Sequence, residues 1–73
     1  VADWYLDREG EDTIVIKGRA AERWAARTNF DNQDAVDRLK RILTRAGVYK
    51  KLDQHKIESE KTHLMIGGKE LEW

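Results

Sequence analysis

The spacing of apolar residues changes twice along this chain. Near the N-terminus the runs are short and rich in β-branched or aromatic residues. Residues 4–6 (Trp4, Tyr5, Leu6) and Thr13–Lys17 read as strands, separated by the turn-forming run Glu9-Gly10-Glu11-Asp12. The short gap predicts an antiparallel hairpin. After Gly18 the period lengthens. Ala20, Ala21, Trp24, Ala25 and Thr28 fall at helical spacing, with Arg19, Arg23 and Arg27 on a separate stripe, which predicts a short helix. Asn29-Phe30-Asp31-Asn32 interrupts it, because Asn and Asp compete for backbone hydrogen bonds and favour caps over helix interiors. Asp31 or Asn32 is the expected N-cap of the next helix. Asp34 then places negative charge in the first turn, where the helix dipole favours it.

Gln33–Ala46 is the clearest helix, with Ala35, Val36, Leu39, Ile42, Leu43 and Ala46 on one apolar face. Arg38, Arg41 and Arg45 recur beside that face. Gly47 is placed to end the helix in a left-handed conformation, with Val48 folding back onto the last turn. Residues 49–56 predict one or two further helical turns around Leu52, Ile57 a core plug, and residues 58–61 a charged turn. Residues 62–66 and 69–73 then alternate around Gly67-Gly68, a pair suited to a two-residue type I′ hairpin. That register sets Leu64 against Leu71 and Thr62 against Trp73 on one face, and His63 against Glu72 on the other. The whole reads as a small single α+β domain: two β-hairpins in a mainly antiparallel sheet, with two to three helices on one face.

Composition narrows this picture. A chain of 73 residues holds one domain. It has no cysteine, which removes disulfides, thiolate metal sites and thiol catalysis and fits a reducing cytosol. The core is expected to rest on aliphatics together with Trp4, Tyr5, Trp24, Phe30, Tyr49 and Trp73. No apolar run approaches the ~18 residues of a membrane span. The first nine residues are polar and charged, unlike a signal peptide, and position 1 is Val, so the chain is read as excised from a longer protein. Net charge is zero but unevenly spread. Residues 17–51 contain ten basic side chains against four acidic ones, an excess of +6 that the flanks balance. Two readings follow: an electrostatic interaction surface, or basic helices and acidic strands that neutralise each other on folding.

Few side chains offer chemistry. His55 and His63 are the only histidines, and neither has a second ligand at helical spacing. Glu58 with Glu60, and Glu70 with Glu72, are carboxylate pairs with no sign of the burial that would split their pKa values. Gly67-Gly68 lacks the Lys-Ser/Thr and the helix of a phosphate loop, and Ser59 is the only serine. No catalytic residue, cofactor site or metal site is expected. The arginines remain. Arg38, Arg41 and Arg45, with Lys50 and Lys51, can meet phosphates, with Trp24 or Tyr49 stacking on bases. Alternatively they form a solvated face, or pair within the helix as Asp34–Arg38 and Asp37–Arg41.

One set of residues is more specific: Glu22-Arg23-Trp24, then Thr28-Asn29-Phe30-Asp31-Asn32, Asp34-Ala35-Val36, Arg38-Leu39, Leu43 and Ala46-Gly47-Val48. This run resembles the core signature of the C-terminal domain of Obg-family GTPases. The aromatic first strand, Ile14-Val15-Ile16-Lys17-Gly18, and the closing segment from Met65 to Trp73 are similar to that family as well, so the resemblance covers nearly the whole chain. Two positions depart: Glu58-Ser59-Glu60-Lys61 replaces a Gly-Asp turn, and Leu71 stands where an aromatic is common. The resemblance implies that residues 1–73 form an Obg-type C-terminal domain of a cytoplasmic GTPase. The parent's GTP and magnesium sites would lie outside this chain, leaving it without a cofactor. It implies a monomeric, non-catalytic regulatory domain serving large ribosomal subunit assembly and the stringent stress response. Expected partners are the ribosome, its RNA and the parent's own GTPase domain, with no membrane. Trp24, Thr28, Asn29, Phe30, Asp31, Asn32 and Gly47 are read as structural, with Trp24 and Phe30 packed against the sheet and the polar residues holding the bend between helices.

Overall fold

A computed structural model of the chain describes residues 3–58 and 60–73. Strands β1 (Tyr5–Arg8) and β2 (Thr13–Lys17) form the first hairpin, antiparallel from Tyr5↔Lys17 to Arg8↔Ile14. Helices α1 (Arg19–Arg27), α2 (Gln33–Ala46) and α3 (Val48–Gln54) follow. Strands β3 (His63–Ile66) and β4 (Lys69–Leu71) make the second hairpin, with Leu64 opposite Leu71 as expected. Its turn residues Gly67 and Gly68 both have positive φ, 56° and 79°, as a type I′ turn requires. The sheet order is β1-β2-β3-β4, and the hairpins join through a parallel β2–β3 pair running from Thr13↔His63 to Ile16↔Ile66. This parallel pairing between distant segments went unread in the sequence. All three helices lie in the crossover it needs.

Alternation along the strands turns Ile14, Ile16, Leu64, Ile66 and Leu71 into the core. They meet Ala21 from α1, Leu39 and Leu43 from α2, and Val48 and Leu52 from α3; none of the ten exceeds 3% exposure. The fully buried core is therefore aliphatic, and the expectation of an aromatic contribution needs correction. Trp4, Trp24, Phe30, Tyr49 and Trp73 are half-buried and pack around the cluster, while Tyr5 is 54% exposed. The physical reason for Tyr5 is its place in the alternation, one residue off the inward-facing Leu6. Leu71 is buried.

Local contacts explain the helix limits. Asn32, one of the two expected caps, accepts with Oδ1 from the Asp34 N–H at 2.9 Å and the Ala35 N–H at 3.3 Å. Asn29 Oδ1 accepts from the Asp31 N–H at 3.0 Å, so Asp31 contributes backbone to the bend and Asn29 the side chain. Gly47 closes α2 with φ 91°, its N–H meeting the carbonyls of Leu43 and Thr44. The N-terminus of α1 has no side-chain cap; the Asp3 carbonyl accepts from the Ala20 N–H at 3.0 Å instead. Gly18 makes that approach possible: its φ is 111°, and a Cβ there would collide with the Asp3 carbonyl oxygen and lie 2.8 Å from Trp4 Cα.

At the C-terminal end β4 stops at Leu71, two residues before the expected limit. Trp73 still reaches Thr62, through its indole Nε1–H donating to the Thr62 carbonyl at 3.3 Å, and its ring stacks on Tyr49 at 6.5 Å. The expected register is kept, and on that face the His63 side chain contacts Glu70, two residues from Glu72: Nδ1 lies 3.2 Å from Glu70 Oε1, with Asp12 Oδ2 at 3.9 Å from Nε2. The His63 N–H donates to the Asp12 carbonyl at 2.6 Å and ties the start of β3 to the β1–β2 loop. The turn expected over residues 58–61 includes Ser59, which lies outside the described residues. Among those described, no helix is long and apolar enough to cross a membrane.

Candidate interaction surface

The two long-range features of the surface are its charge layout and a cleft between α1 and α2. The arginines of α1 and α2, Arg19, Arg23, Arg27, Arg38, Arg41 and Arg45, are all exposed. Among the described residues the ion pairs within 4 Å are Lys17 with Asp7 and Glu9, and Lys61 with Glu58; the His63 ring contacts Asp12 and Glu70. None involves an arginine. The helical spacing that offered Asp34–Arg38 and Asp37–Arg41 pairs is thus not used. Asp37 Oδ1 instead accepts from Gln33 Nε2 at 2.9 Å, and Asp34 stays in the first turn near the positive end of the helix dipole.

The opposite face of the sheet carries the acids. Asp7 lies across from Val15, and Glu70 across from Met65, on the side the helices leave uncovered. Lys17 on that face bridges Asp7 at 2.7 Å and Glu9 at 3.0 Å. The hydrogen bond to Asp7, then that to Glu9, holds its ammonium pKa above the ordinary lysine range. The acidic strand residues therefore pair with Lys17 and His63 on their own face. Lys17 is thus neutralised by acids of the N-terminal flank, while no helix arginine has a strand carboxylate within 4 Å among the described residues.

Trp24, Arg27 and Thr28 of the first helix and its C-cap, with Ala35, Arg38, Leu39 and Ile42 of α2, line a cleft of about 420 Å³. The cleft lies between α1, which packs on β2 and β3, and α2, which contacts α3 and the core. The Thr28 hydroxyl donates to the Trp24 carbonyl at 2.8 Å and is not free for a ligand. The floor is accordingly apolar, and each wall contributes one guanidinium.

Of the residues singled out in the sequence, Trp24, Thr28 and Arg38 meet in this cleft. Arg41 and Arg45 extend the basic stripe along α2 outside it. Phe30 packs on the core cluster and lines a separate shallow cleft with Val36, Lys40 and Leu71. Asn29, Asn32 and Gly47 hold backbone, as described above. Lys50 is exposed. Lys51 sits with Nζ 5.3 Å from the centre of the Trp4 ring, a cation–π contact that ties it to the fold. Tyr49 does not offer a free ring for bases: it stacks on Trp73, and its hydroxyl is buried without a partner. Burial raises its phenol pKa. Arg27 is the charged cleft residue that lies outside the contact set expected from the sequence, as do the apolar Ala35, Leu39 and Ile42. Its signal was present in the Arg19, Arg23, Arg27 spacing, one step from Trp24. Among the described residues no group of three or more His, Asp or Glu side chains is placed to hold a metal ion.

The fold and surface define a class: a small two-layer α+β domain with a basic helical layer, an acidic sheet face and a cleft between two helices. Residues 5–73 match the model of a family described as a domain of unknown function, DUF1967. The chain belongs to this family, the C-terminal domain of Obg GTPases. It is 33% identical over 67 residues to "GTPase Obg" of Corynebacterium jeikeium, covering 92% of this chain and 13% of that protein. It is 41% identical over 46 residues to the proteins of the same name in Lactobacillus acidophilus and Lactobacillus helveticus, covering 63% of this chain and 11% of each. The chain thus spans about one-eighth of the length of these relatives. No solved structure matches it.

Proposed function

We propose that this chain is a non-catalytic regulatory and interaction domain of an Obg-like GTP-binding protein that acts in large ribosomal subunit assembly and stress signalling. The observation that carries the reading is a basic helical layer whose arginines have no carboxylate within 4 Å among the described residues, on a domain of the Obg C-terminal family. Exposed, unpaired guanidiniums keep their full capacity for planar, two-point contacts with phosphate or carboxylate. GTP and magnesium would be held by the rest of a cytoplasmic parent, and this domain, as a monomer, would contact the subunit and the parent's GTPase domain. Co-sedimentation of the chain with purified large subunits tests it. Reversing Arg38, Arg41 and Arg45 to Glu is expected to weaken that association at least about tenfold, roughly 1.4 kcal/mol. Absence of co-sedimentation, or indifference to the triple reversal, would refute the reading.

The same unpaired arginines favour direct contact with ribosomal RNA as a second reading. Three phosphate contacts on single-stranded RNA predict a log–log salt slope of about −2. Binding of isolated ribosomal RNA that is independent of salt would count against it.

A further inference from the structure

The cleft between α1 and α2 combines two properties that the exposed arginine stripe lacks: an apolar floor and guanidiniums on both walls. Its floor is built by Trp24, Ala35, Leu39 and Ile42, and its walls by Arg27 and Arg38. No acidic side chain lines it. Thr28, the remaining lining residue, has its hydroxyl bonded to its own helix. A nucleic-acid strand gains little from such a floor. Sequence-tolerant binding of single strands uses several aromatic platforms, and here three of the four floor residues are aliphatic while Trp24 is half-buried. A protein segment gains from both properties, because apolar side chains laid into a groove between helices provide anchoring and carboxylates beside them meet the walls.

We propose that the α1–α2 cleft is a docking site for a short amphipathic protein segment whose apolar anchor residues are flanked by Asp or Glu. The anchor sits over Ile42 and Leu39 against the Trp24 ring, and the flanking carboxylates pair with Arg27 and Arg38. The charge layout supports the choice of sign. The two guanidiniums that line the cleft meet no acidic lining residue, so its charge is complementary to an acidic partner. The proposal goes beyond ribosome association through the α2 stripe, and Arg41 and Arg45, which lie outside the cleft, separate the two.

The test titrates the 73-residue chain, labelled with ¹⁵N, with a panel of short peptides in which the numbers of Glu and of Leu or Phe are varied independently. A single-stranded RNA oligonucleotide serves as competitor. Peptides carrying both features are expected to bind and to shift the Trp24 indole and the backbone amides of Ile42 and Leu39. Arg27→Ala with Arg38→Ala, both exposed and unpaired, is expected to weaken binding at least about tenfold, while Arg41→Ala with Arg45→Ala changes it less than about threefold. Ile42→Glu is expected to abolish it, and circular dichroism of that variant checks that the helices persist; the arginine variants carry the test if they do not. The proposal is overturned if no peptide in the panel binds, or if poly-Glu without apolar residues binds as well as the anchored peptides. It is equally overturned if the RNA, and not the peptides, shifts the cleft resonances. Failure of the peptides with intact subunit co-sedimentation would remove the cleft proposal and leave the interaction-domain reading standing.

Discussion

Replacing Gly18 by alanine isolates the contact that ties the start of the chain to the first functional helix. Gly18 has φ 111° and ψ 170°, a region essentially reserved for glycine. Its Cα faces the segment before β1 so closely that an added Cβ would overlap the Asp3 carbonyl oxygen, lie 2.8 Å from Trp4 Cα and lie 3.0 Å from the Asp3 carbonyl carbon. All three are backbone atoms, so no rotamer change relieves the overlap. The backbone must move, and the Asp3 carbonyl is the acceptor for the Ala20 N–H in the first turn of α1. Backbone strain of this kind costs about 1–3 kcal/mol, and loss of the cap adds about 1 kcal/mol. The expected destabilisation is therefore about 2–4 kcal/mol. A domain of this size has total stability of roughly 4–11 kcal/mol, so the loss is a large fraction of it.

Gly47→Ala supplies the control. Gly47 also has positive φ, 91°, but nothing lies within 4 Å of where its Cβ would stand. It should lose only the left-handed penalty of about 1–2 kcal/mol. Urea denaturation followed by tryptophan fluorescence gives both values as shifts in midpoint at constant slope. If Gly18→Ala and Gly47→Ala cost the same within about 0.5 kcal/mol, the steric argument is wrong and only local backbone preference acts at Gly18.

Two further outcomes follow from single contacts. Asn32→Ala should cost about 1 kcal/mol through the lost cap on α2, whereas Asp31→Ala, whose side chain bonds nothing within the described residues, should stay within about 0.5 kcal/mol; equal effects in urea melts would contradict the assignment of the cap to Asn32. Tyr49→Phe removes a buried hydroxyl without a partner, so at neutral pH the variant should be as stable as the parent or up to about 1 kcal/mol more so. The pH dependence has a definite sign: burial raises the phenol pKa, so the stabilisation it reports is intact below the ordinary tyrosine value near 10 and lost as pH rises beyond it. Lys17, also raised, loses its stabilisation in the same direction, so the Phe variant should soften the alkaline loss without removing it; an unchanged stability-against-pH curve above pH ~10 would show that Tyr49 has no share in it.

Elements governed by neighbours in sequence were legible in advance. Gln33–Ala46, Thr13–Lys17 and the Gly67-Gly68 turn follow from periodicity and local backbone preference, and their limits match the structure. What sequence did not reveal depends on approach in space. The parallel β2–β3 ladder joins segments separated by three helices, and neither hairpin's pattern says which edge it offers the other. The contact of His63 with Asp12 depends on that ladder, since the Asp12 carbonyl accepts from the His63 N–H where β3 begins. The role of Gly18 was similarly hidden. A glycine after a strand reads as a helix boundary, and only the position of Asp3 shows that it is also a point of backbone contact. At the candidate surface the arginine spacing was readable, but the cleft was not, because it depends on how α1 and α2 are placed in space.

The signature around the bend also acquires a second meaning from this geometry. Asn29 and Asn32 fix the path between α1 and α2 through two side-chain carbonyls, and Thr28 ties its hydroxyl to the end of α1. These bonds reach two residues of the cleft floor directly: the Trp24 carbonyl accepts from Thr28, and the Ala35 N–H donates to Asn32. Residues that read as purely structural in sequence thus border the proposed docking cleft. A bend held at several points by short hydrogen bonds keeps the cleft open before any partner arrives, so association does not have to pay the ordering cost of two mobile helices. Substitutions in the bend should therefore weaken cleft binding by more than their effect on the folded fraction alone. Substitutions at Arg41 or Arg45, on the same helix but outside the cleft, should not.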